Sequence, residues 1–139
     1  MLGFHVSTLY RLTLYRSALY SMAMSKPRDP QPEDLLPLSP QVFDILLALA
    51  AGDQHGYAIM QEVAARTGGK VRLSPGTLYG CIKRMLEQGV VVELDAGDDS
   101  RRRYYRLTTF GRKVAAAEAA RLADSLEQAR IYGLAPKLT

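Results

Sequence analysis

Positively charged side chains are concentrated in one segment of the chain, between Arg66 and Lys113. Eleven basic and five acidic residues lie there, which gives the segment a net charge of +6, whereas the rest of the chain carries −2. Guanidinium and ammonium groups neutralise phosphate oxygens, and arginine also binds the edge of a guanine base. The charge distribution therefore indicates an anionic partner, which is nucleic acid or a membrane surface.

The segment 74–88 combines a helix start with a cationic face. Ser74 can cap a helix, and Pro75 suits the first helical position because its missing N–H costs nothing there. The apolar residues predicted to form the buried face are Leu78, Ile82, Met85 and Leu86. The residues predicted to contact DNA are Ser74, Pro75, Gly76, Thr77, Tyr79, Lys83 and Arg84. An ordinary solvated surface helix is the alternative, and the helical pattern alone does not decide between them.

Three consecutive arginines follow a hairpin loop and strengthen the interpretation as a DNA contact. Arg101, Arg102 and Arg103 can contact phosphates or enter a minor groove from the tip of a β-wing. Asp98 and Asp99 in the same loop would repel DNA, so we expect them to turn away or to pair with Arg101. The alternative is a solvated run of charges.

The order of predicted elements indicates a mainly α (α+β) fold. Helices are expected from Ser39, from Gly56 to Thr67 and from Ser74, followed by a hairpin of residues 90–95 and 101–108. A closing helix is expected at residues 109–130. Three helices, a two-stranded β-wing and a long last helix form a winged helix-turn-helix.

The remaining regions complete the predicted domain organisation. Residues 1–37 are expected to be a disordered extension with a proline-rich linker, or in part a start-site artefact at Met22 or Met24. The winged-helix domain is predicted at 38–108, the C-terminal dimerisation helix at 109–132 and a tail at 133–139. An alternative for residues 1–21 is an amphipathic membrane anchor. No long apolar run predicts a transmembrane span, and we expect a cytoplasmic protein without a membrane partner.

Four motifs in this order resemble the PadR family of transcriptional regulators. They are Leu38-Ser39-Pro40, then His55-Gly56-Tyr57-Ala58-Ile59, then residues 73–79 (LSPGTLY), and finally residues 101–108 (RRRYYRLT) with Gly111. The resemblance covers residues 38 to about 130. It implies a homodimeric repressor that a small-molecule effector releases from DNA. Gly80 departs from the proline usual in the family, and the single C-terminal helix leaves little room for a large effector pocket.

The closing helix carries a stripe of small and apolar residues at heptad spacing. The predicted dimerisation residues are Ala115, Ala119, Leu122, Leu126 and Ala129. The alternative is that this stripe packs on its own subunit. A two-fold dimer would place two reading helices about one DNA turn apart, so we expect an inverted-repeat operator on double-stranded DNA.

Residues typical of enzymes and metal sites do not form a recognisable set. The sequence shows neither a phosphate loop nor a nucleophile–histidine–acid set, so we expect no enzyme, no cofactor and no metal. The lone Cys81 is expected to be buried, with a redox sensor as the alternative. His55 is expected to cap or pack. Tyr57, Tyr104 and Tyr105 are expected to pack in the core or the wing, with an effector cage as the alternative. A winged-helix protein–protein module is the rival of a DNA-binding regulator.

Overall fold

The computed structural model describes residues 3–24, 28–95 and 102–136. Its helices are α1 (Gly3–Met24), α2 (Pro40–Ala50), α3 (Gly56–Arg66), α4 (Pro75–Glu87) and α5 (Thr109–Ile131). Three short strands, β1 (Gln54–His55), β2 (Val91–Leu94) and β3 (Tyr104–Leu107), form an antiparallel sheet in the order β1-β3-β2. The predicted winged helix-turn-helix fold is confirmed.

Side chains that precede the helices fix where α2 to α5 begin. Ser39, Ser74 and Thr108 each accept a hydrogen bond from the backbone N–H three residues ahead, at 2.9–3.2 Å. His55 caps α3 in the same way, because its Nδ1 accepts from the N–H of Ala58 at 3.2 Å. These bonds satisfy backbone donors that a helix start leaves without partners. The capping role expected for His55 is confirmed.

The sheet has three strands rather than the two that we predicted. In β1, Gln54 and His55 pair with Tyr105 and Tyr104 of β3. A strand of two residues has no alternating pattern in the sequence, so it forms because a partner strand is present. As a result, the base of the wing is hydrogen-bonded to the residues that lead directly into α3.

One hydrophobic core holds α2 to α5 and the sheet together. Its fully buried large side chains come from all four α-helices of this unit, and they include Ile45, Leu46, Leu49, Ile59, Val63, Leu78, Ile82, Met85 and Val114. Cys81 is buried among them, as expected, and is a free thiol. The apolar faces of α2, α3 and α4 therefore fix the orientation of the exposed face of α4.

Residues 31–38 form a strap that packs on the winged-helix unit, which corrects our expectation of an unpacked linker up to residue 37. A short 3-10 helix, Pro32–Leu35, lies against α5, and the compact unit begins at Gln31. The backbone N–H of Gln31 donates to Asp34 Oδ2 at 2.9 Å, and Leu35 and Leu38 are partly buried against the core. Proline suits the first turn of such a helix, so this cluster of prolines does not imply an extended chain.

The helix α1 belongs to a separate unit, residues 1–30. Helix formation over Gly3–Met24 corrects the expectation that this region is disordered. The segment contains no proline, and its glycine stands at the first position, so nothing in its interior breaks a helix. The large apolar side chains described in α1, from Leu9 to Met22, are exposed. Within the described residues, no helix combines the length and apolar character needed to cross a membrane. The start-site artefact stays a prediction.

Candidate nucleic-acid interface

The first turn of α4 is rigidly capped and open to solvent. The Ser74 hydroxyl accepts from the N–H of Thr77 and donates to the Thr77 Oγ1 at 3.0 Å. Pro75 occupies the first helical position, and Gly76 beside it is exposed. These four residues are the part of the predicted contact set that lies at the helix N-terminus, where dipoles and N–H groups favour an anion.

Two faces of α4 differ sharply in burial. Leu78, Cys81, Ile82 and Met85 are buried. The opposite face exposes Gly76, Gly80, Lys83 and Arg84. A Cβ added at Gly76 or Gly80 would meet nothing within 4 Å, so both glycines lie under free space that a partner can enter. The predicted division of this helix into a packing face and an accessible face therefore matches the observed burial, except that Leu86 is only partly buried.

Arg84 is the less free of the two cations on this face. Its Nη2 donates to Cys81 Sγ at 3.7 Å, which holds the guanidinium back along the helix. Lys83, the residue before Arg84, is exposed. A weak sulfur acceptor is easily exchanged for a charged oxygen, so this bond orients Arg84 without consuming its capacity for an anion.

Tyr79 stands at the edge of the accessible face and leans on the start of α3. Its side chain is 48% exposed. A Cβ built on Gly56 would lie 2.6 Å from the Tyr79 Oη and 3.2 Å from Leu78 Cδ2. The absent side chain at position 56 is therefore what allows the Tyr79 ring to pack where it does.

The two described arginines at the tip-side end of the wing, Arg102 and Arg103, differ in their partners. Arg102 is exposed, and Arg103 Nε lies 3.5 Å from Glu93 Oε1 in a solvent-exposed ion pair. Arg101 lies outside the described residues, together with Asp98 and Asp99, so the expected orientation of those two acids stays a prediction. A single exposed ion pair is worth little, and Arg103 remains available to a stronger anionic partner.

Arg106, further along β3, is engaged within the chain. Its Nε and Nη2 donate to the two carboxylate oxygens of Asp53 at 3.1 and 2.8 Å. These hydrogen bonds lower the pKa of Asp53, and they raise the pKa of Arg106. The pair connects the wing to the turn before β1, so Arg106 has a structural role.

A cavity of about 610 Å³ lies between the start of α3, α4 and the wing. The described residues that line it are His55, Gly56, Tyr57, Tyr79, Arg102, Arg103 and Tyr105. Tyr57 is 62% exposed, which corrects our expectation that it packs in the core or the wing. Tyr105 is buried as expected, and burial, followed by the charge of Glu93, raises its pKa. His55 and Tyr104 meet edge to face, with ring centroids 5.5 Å apart.

The predicted dimerisation stripe on α5 divides into two parts. Ala115 is partly buried against the core of its own subunit. Ala119, Leu122 and Leu126 are exposed, the two leucines by about 40%, and Ala129 is half-buried. The second part presents apolar area without a covering element in the described chain, and dimer formation through it stays a prediction.

The buried position of Glu118 on α5 could not be seen in the sequence. It is buried, and Arg121 donates to both of its carboxylate oxygens at 2.8 and 2.6 Å. The bonds from Arg121 lower the pKa of Glu118, against the effect of burial, and a bond from the Leu38 N–H lowers it further. The carboxylate therefore fastens the strap to α5. Among the described residues, no group of three His, Cys, Asp or Glu side chains could hold a metal ion.

Comparison with known proteins assigns this arrangement to a family. The model of the transcriptional regulator PadR-like family matches residues 45–117, which is more than half of the chain. The chain belongs to the PadR-like family. This family is one of transcriptional regulators, and the match confirms the resemblance drawn from the motifs.

The chain is also similar to a curated protein, and it shares its fold with solved structures. An uncharacterised protein of Lysinibacillus sphaericus is 37% identical over 71 residues, which are 49% of this chain and 64% of that protein. The chain spans less than two thirds of the length of the curated relatives it matches. A transcriptional regulator from Clostridium thermocellum shares the fold at 24% identity, with a TM-score of 0.59 over 66% of this chain and 90% of that one. A PadR family transcription regulator from Clostridium difficile does so at 24% identity, with a TM-score of 0.54 over 65% and 96%.

Proposed function

We propose that this PadR-like protein is a cytoplasmic, homodimeric repressor that binds an inverted-repeat operator in double-stranded DNA. The observation that carries the proposal is the common cavity wall of Tyr79 on α4 and Arg102 and Arg103 on the wing. Because these side chains line one cavity, a single duplex can contact helix and wing together. The open space above Gly76 and Gly80 supports insertion of α4 into a major groove.

The electrostatics of this face support the same proposal. Lys83, Arg84, Arg102 and Arg103 are exposed, and only Arg103 has a carboxylate partner given by the described residues, at 3.5 Å. Arg106 is held by Asp53, so the wing residues of the proposed contact set are Arg101, Arg102 and Arg103. Cations that contact phosphates release counterions, so binding should weaken steeply with salt.

Selection of bound sequences from random DNA by the purified full chain tests this proposal directly. We expect a two-fold symmetric consensus with half-sites about one helical turn, or a multiple of it, apart. On that operator, Lys83→Ala and Arg102→Ala should each reduce the slope of log affinity against log salt by about 2, because both subunits of the dimer lose one phosphate contact. Arg130→Ala is the matched control, because Arg130 is an exposed arginine on the last turn of α5. A chain that selects no sequence and binds DNA without salt dependence is instead a protein–protein module.

Release by a small molecule is the part of the proposal that rests on the family resemblance. A candidate effector site is a cavity of about 200 Å³ that lies between the strap and α4 beside Cys81 and Arg84. A reporter gene placed behind the selected operator would be repressed by the protein and derepressed by the effector. Screening compounds on this reporter tests release, and a reporter that the protein activates contradicts the repressor role.

A further inference from the structure

The cavity between α3, α4 and the wing has an unusual lining. Hydrogen-bond donors converge on it from three elements: the Tyr57 side chain on α3, the Tyr79 side chain on α4 and the guanidinium groups of Arg102 and Arg103. None of the described residues that line it carries a carboxylate. Its polar groups are therefore suited to an anion with several oxygens.

Packing does not account for the position of Tyr57. The side chain is 62% exposed, although the neighbouring Gly56 and Ile59 are buried. A large aromatic side chain at the rim of a cationic cavity adds nothing to the core and can place a hydroxyl toward a ligand in the cavity. Tyrosine hydroxyls are among the groups that hydrogen-bond DNA phosphates.

We propose that this cavity seats one phosphate of the DNA backbone, and that Tyr57 is a further DNA contact from α3. The inference rests on the proposed DNA-binding function and extends it to a third element of the fold. The phosphate oxygens accept from the Tyr57 and Tyr79 hydroxyls and from Arg102. Arg103 exchanges its long ion pair with Glu93 for the phosphate.

Gly56 positions one wall of this seat. Any side chain at position 56 would displace the Tyr79 ring, since a Cβ there would lie 2.6 Å from Oη and 3.0 Å from Cζ. Gly56 itself touches no DNA in this arrangement and acts through Tyr79. The strand β1 also contributes to the seat, because its pairing with β3 holds the wing beside the start of α3. A phosphate held there fixes the angle at which α4 meets the groove.

The test combines a hydroxyl deletion with the neutralisation of single phosphates. Full-length wild type and Tyr57→Phe are titrated with the selected operator and with operators that carry one uncharged methylphosphonate at successive backbone positions. Tyr132→Phe is the matched control, because Tyr132 is a 76% exposed tyrosine beyond the end of α5. Chemical denaturation of each variant verifies that it folds like the wild type.

We expect Tyr57→Phe to weaken operator binding about tenfold per subunit, as for the loss of one hydrogen bond to a charged group, and therefore about 100-fold for the dimer. The methylphosphonate at the seat also removes the charge that Arg102 and Arg103 contact, so it should weaken the wild type by more than about tenfold and Tyr57→Phe by a factor about ten times smaller, which is the signature of a direct pair. Tyr132→Phe should bind like the wild type. Unchanged affinity of Tyr57→Phe, or methylphosphonate losses that are the same in both proteins at every position, overturns the seat.

Two further results separate this inference from its alternatives. If the wild type binds no DNA, the proposed function fails, whereas the seat alone fails if the wild type binds and Tyr57→Phe equals it. Inorganic phosphate titrated at constant ionic strength tests a free anion as the ligand. We expect no saturable binding below about 10 mM, because one backbone phosphate in a duplex is positioned by many other contacts. Saturable binding that Tyr57→Phe abolishes assigns the cavity to a small anion and overturns the DNA phosphate.

Discussion

The two halves of α5 have opposite relations to the rest of the chain. In the first half, Gly111, Val114 and Glu118 are buried. In the second half, Leu122, Leu126 and Ile131 are exposed. One helix of 23 residues therefore supports the core at its start, and at its end it exposes an apolar surface that no described element covers. Substitutions in the first half should change the stability of the subunit, and substitutions in the second half should change its association.

Gly111→Ala should give the largest effect, because it strikes the most crowded position of the first half. A Cβ there would run into the Val90 carbonyl oxygen and lie 2.8 Å from Leu107 Cδ1. We expect a loss of about 3 kcal/mol in the free energy of unfolding, measured by urea denaturation, from overpacking against a backbone that cannot yield. Gly80→Ala is the control, since a Cβ there meets nothing, and helix propensity should stabilise it by about 0.5–1 kcal/mol. Equal stabilities of the two variants would show that the packing of Gly111 against Val90 can adjust.

Leu126→Glu should give the next largest effect, and it should act on the second half alone. If the stripe is the dimer seam, each copy buries a charge in place of a leucine side chain worth about 1.5–3 kcal/mol. We expect the dimer dissociation constant to rise about 100-fold or more in sedimentation experiments, with little change in subunit unfolding. Gln128→Glu adds the same charge to a position off the seam and should leave association unchanged. A Leu126→Glu protein that associates like the wild type removes the seam from this helix.

Glu118→Gln should weaken the subunit moderately and leave association intact. The Arg121 partner is partly exposed, so solvent screens the pair, and we expect a loss of about 1–2 kcal/mol in unfolding free energy. Glu127→Gln is the matched control on the same helix, because its pair with Arg130 is exposed and long, at 3.4 Å. That control should change stability by less than about 0.5 kcal/mol. If Glu118→Gln and Glu127→Gln change the stability equally, burial of the Glu118 carboxylate has no energetic consequence.

The pH dependence of this difference has a defined sign. The folded state lowers the pKa of Glu118 through its bonds from Arg121 and Leu38. Its contribution is therefore complete above the ordinary glutamate pKa, about 4.3, and is lost as the pH falls through the lowered value. The stability gap between the wild type and Glu118→Gln should be constant near neutral pH and narrow in acid. A gap that widens in acid would contradict this sign.

Signals confined to a few neighbouring residues allowed most of the fold to be predicted. The caps at Ser39, Ser74 and Thr108 join residues three apart, so the starts of α2, α4 and α5 were predicted at the observed positions. The two faces of α4 followed from helical periodicity for the same reason. The approximate limits of β2 and β3 followed from their β-branched and aromatic residues.

Features made by tertiary contact could not be predicted from the sequence. The strand β1 exists through pairing with residues 50 positions away, and the ion pair of Asp53 and Arg106 spans a similar distance along the chain. Glutamate is a residue type typical of solvated helix positions, yet Glu118 is buried beside a strap about 80 residues upstream. In the candidate site, exposure of Tyr57 was missed because an aromatic residue on an apolar helix face is usually buried.

The joint between α4, the wing and α5 has a consequence for spacing along DNA. The Thr108 hydroxyl and N–H donate to the carbonyl oxygens of Gly89 and Val90, and Gly111 packs on the same carbonyl of Val90. Because these contacts hold backbone atoms of residues 89, 90 and 108 together and Gly111 leaves no side chain between them, the angle between α4 and α5 has little freedom. In a dimer joined through α5, the two α4 helices would then lie a fixed distance apart, and they would bind only half-sites at that spacing. Insertion of a single base pair between the half-sites would then cost more than a mismatch within one of them.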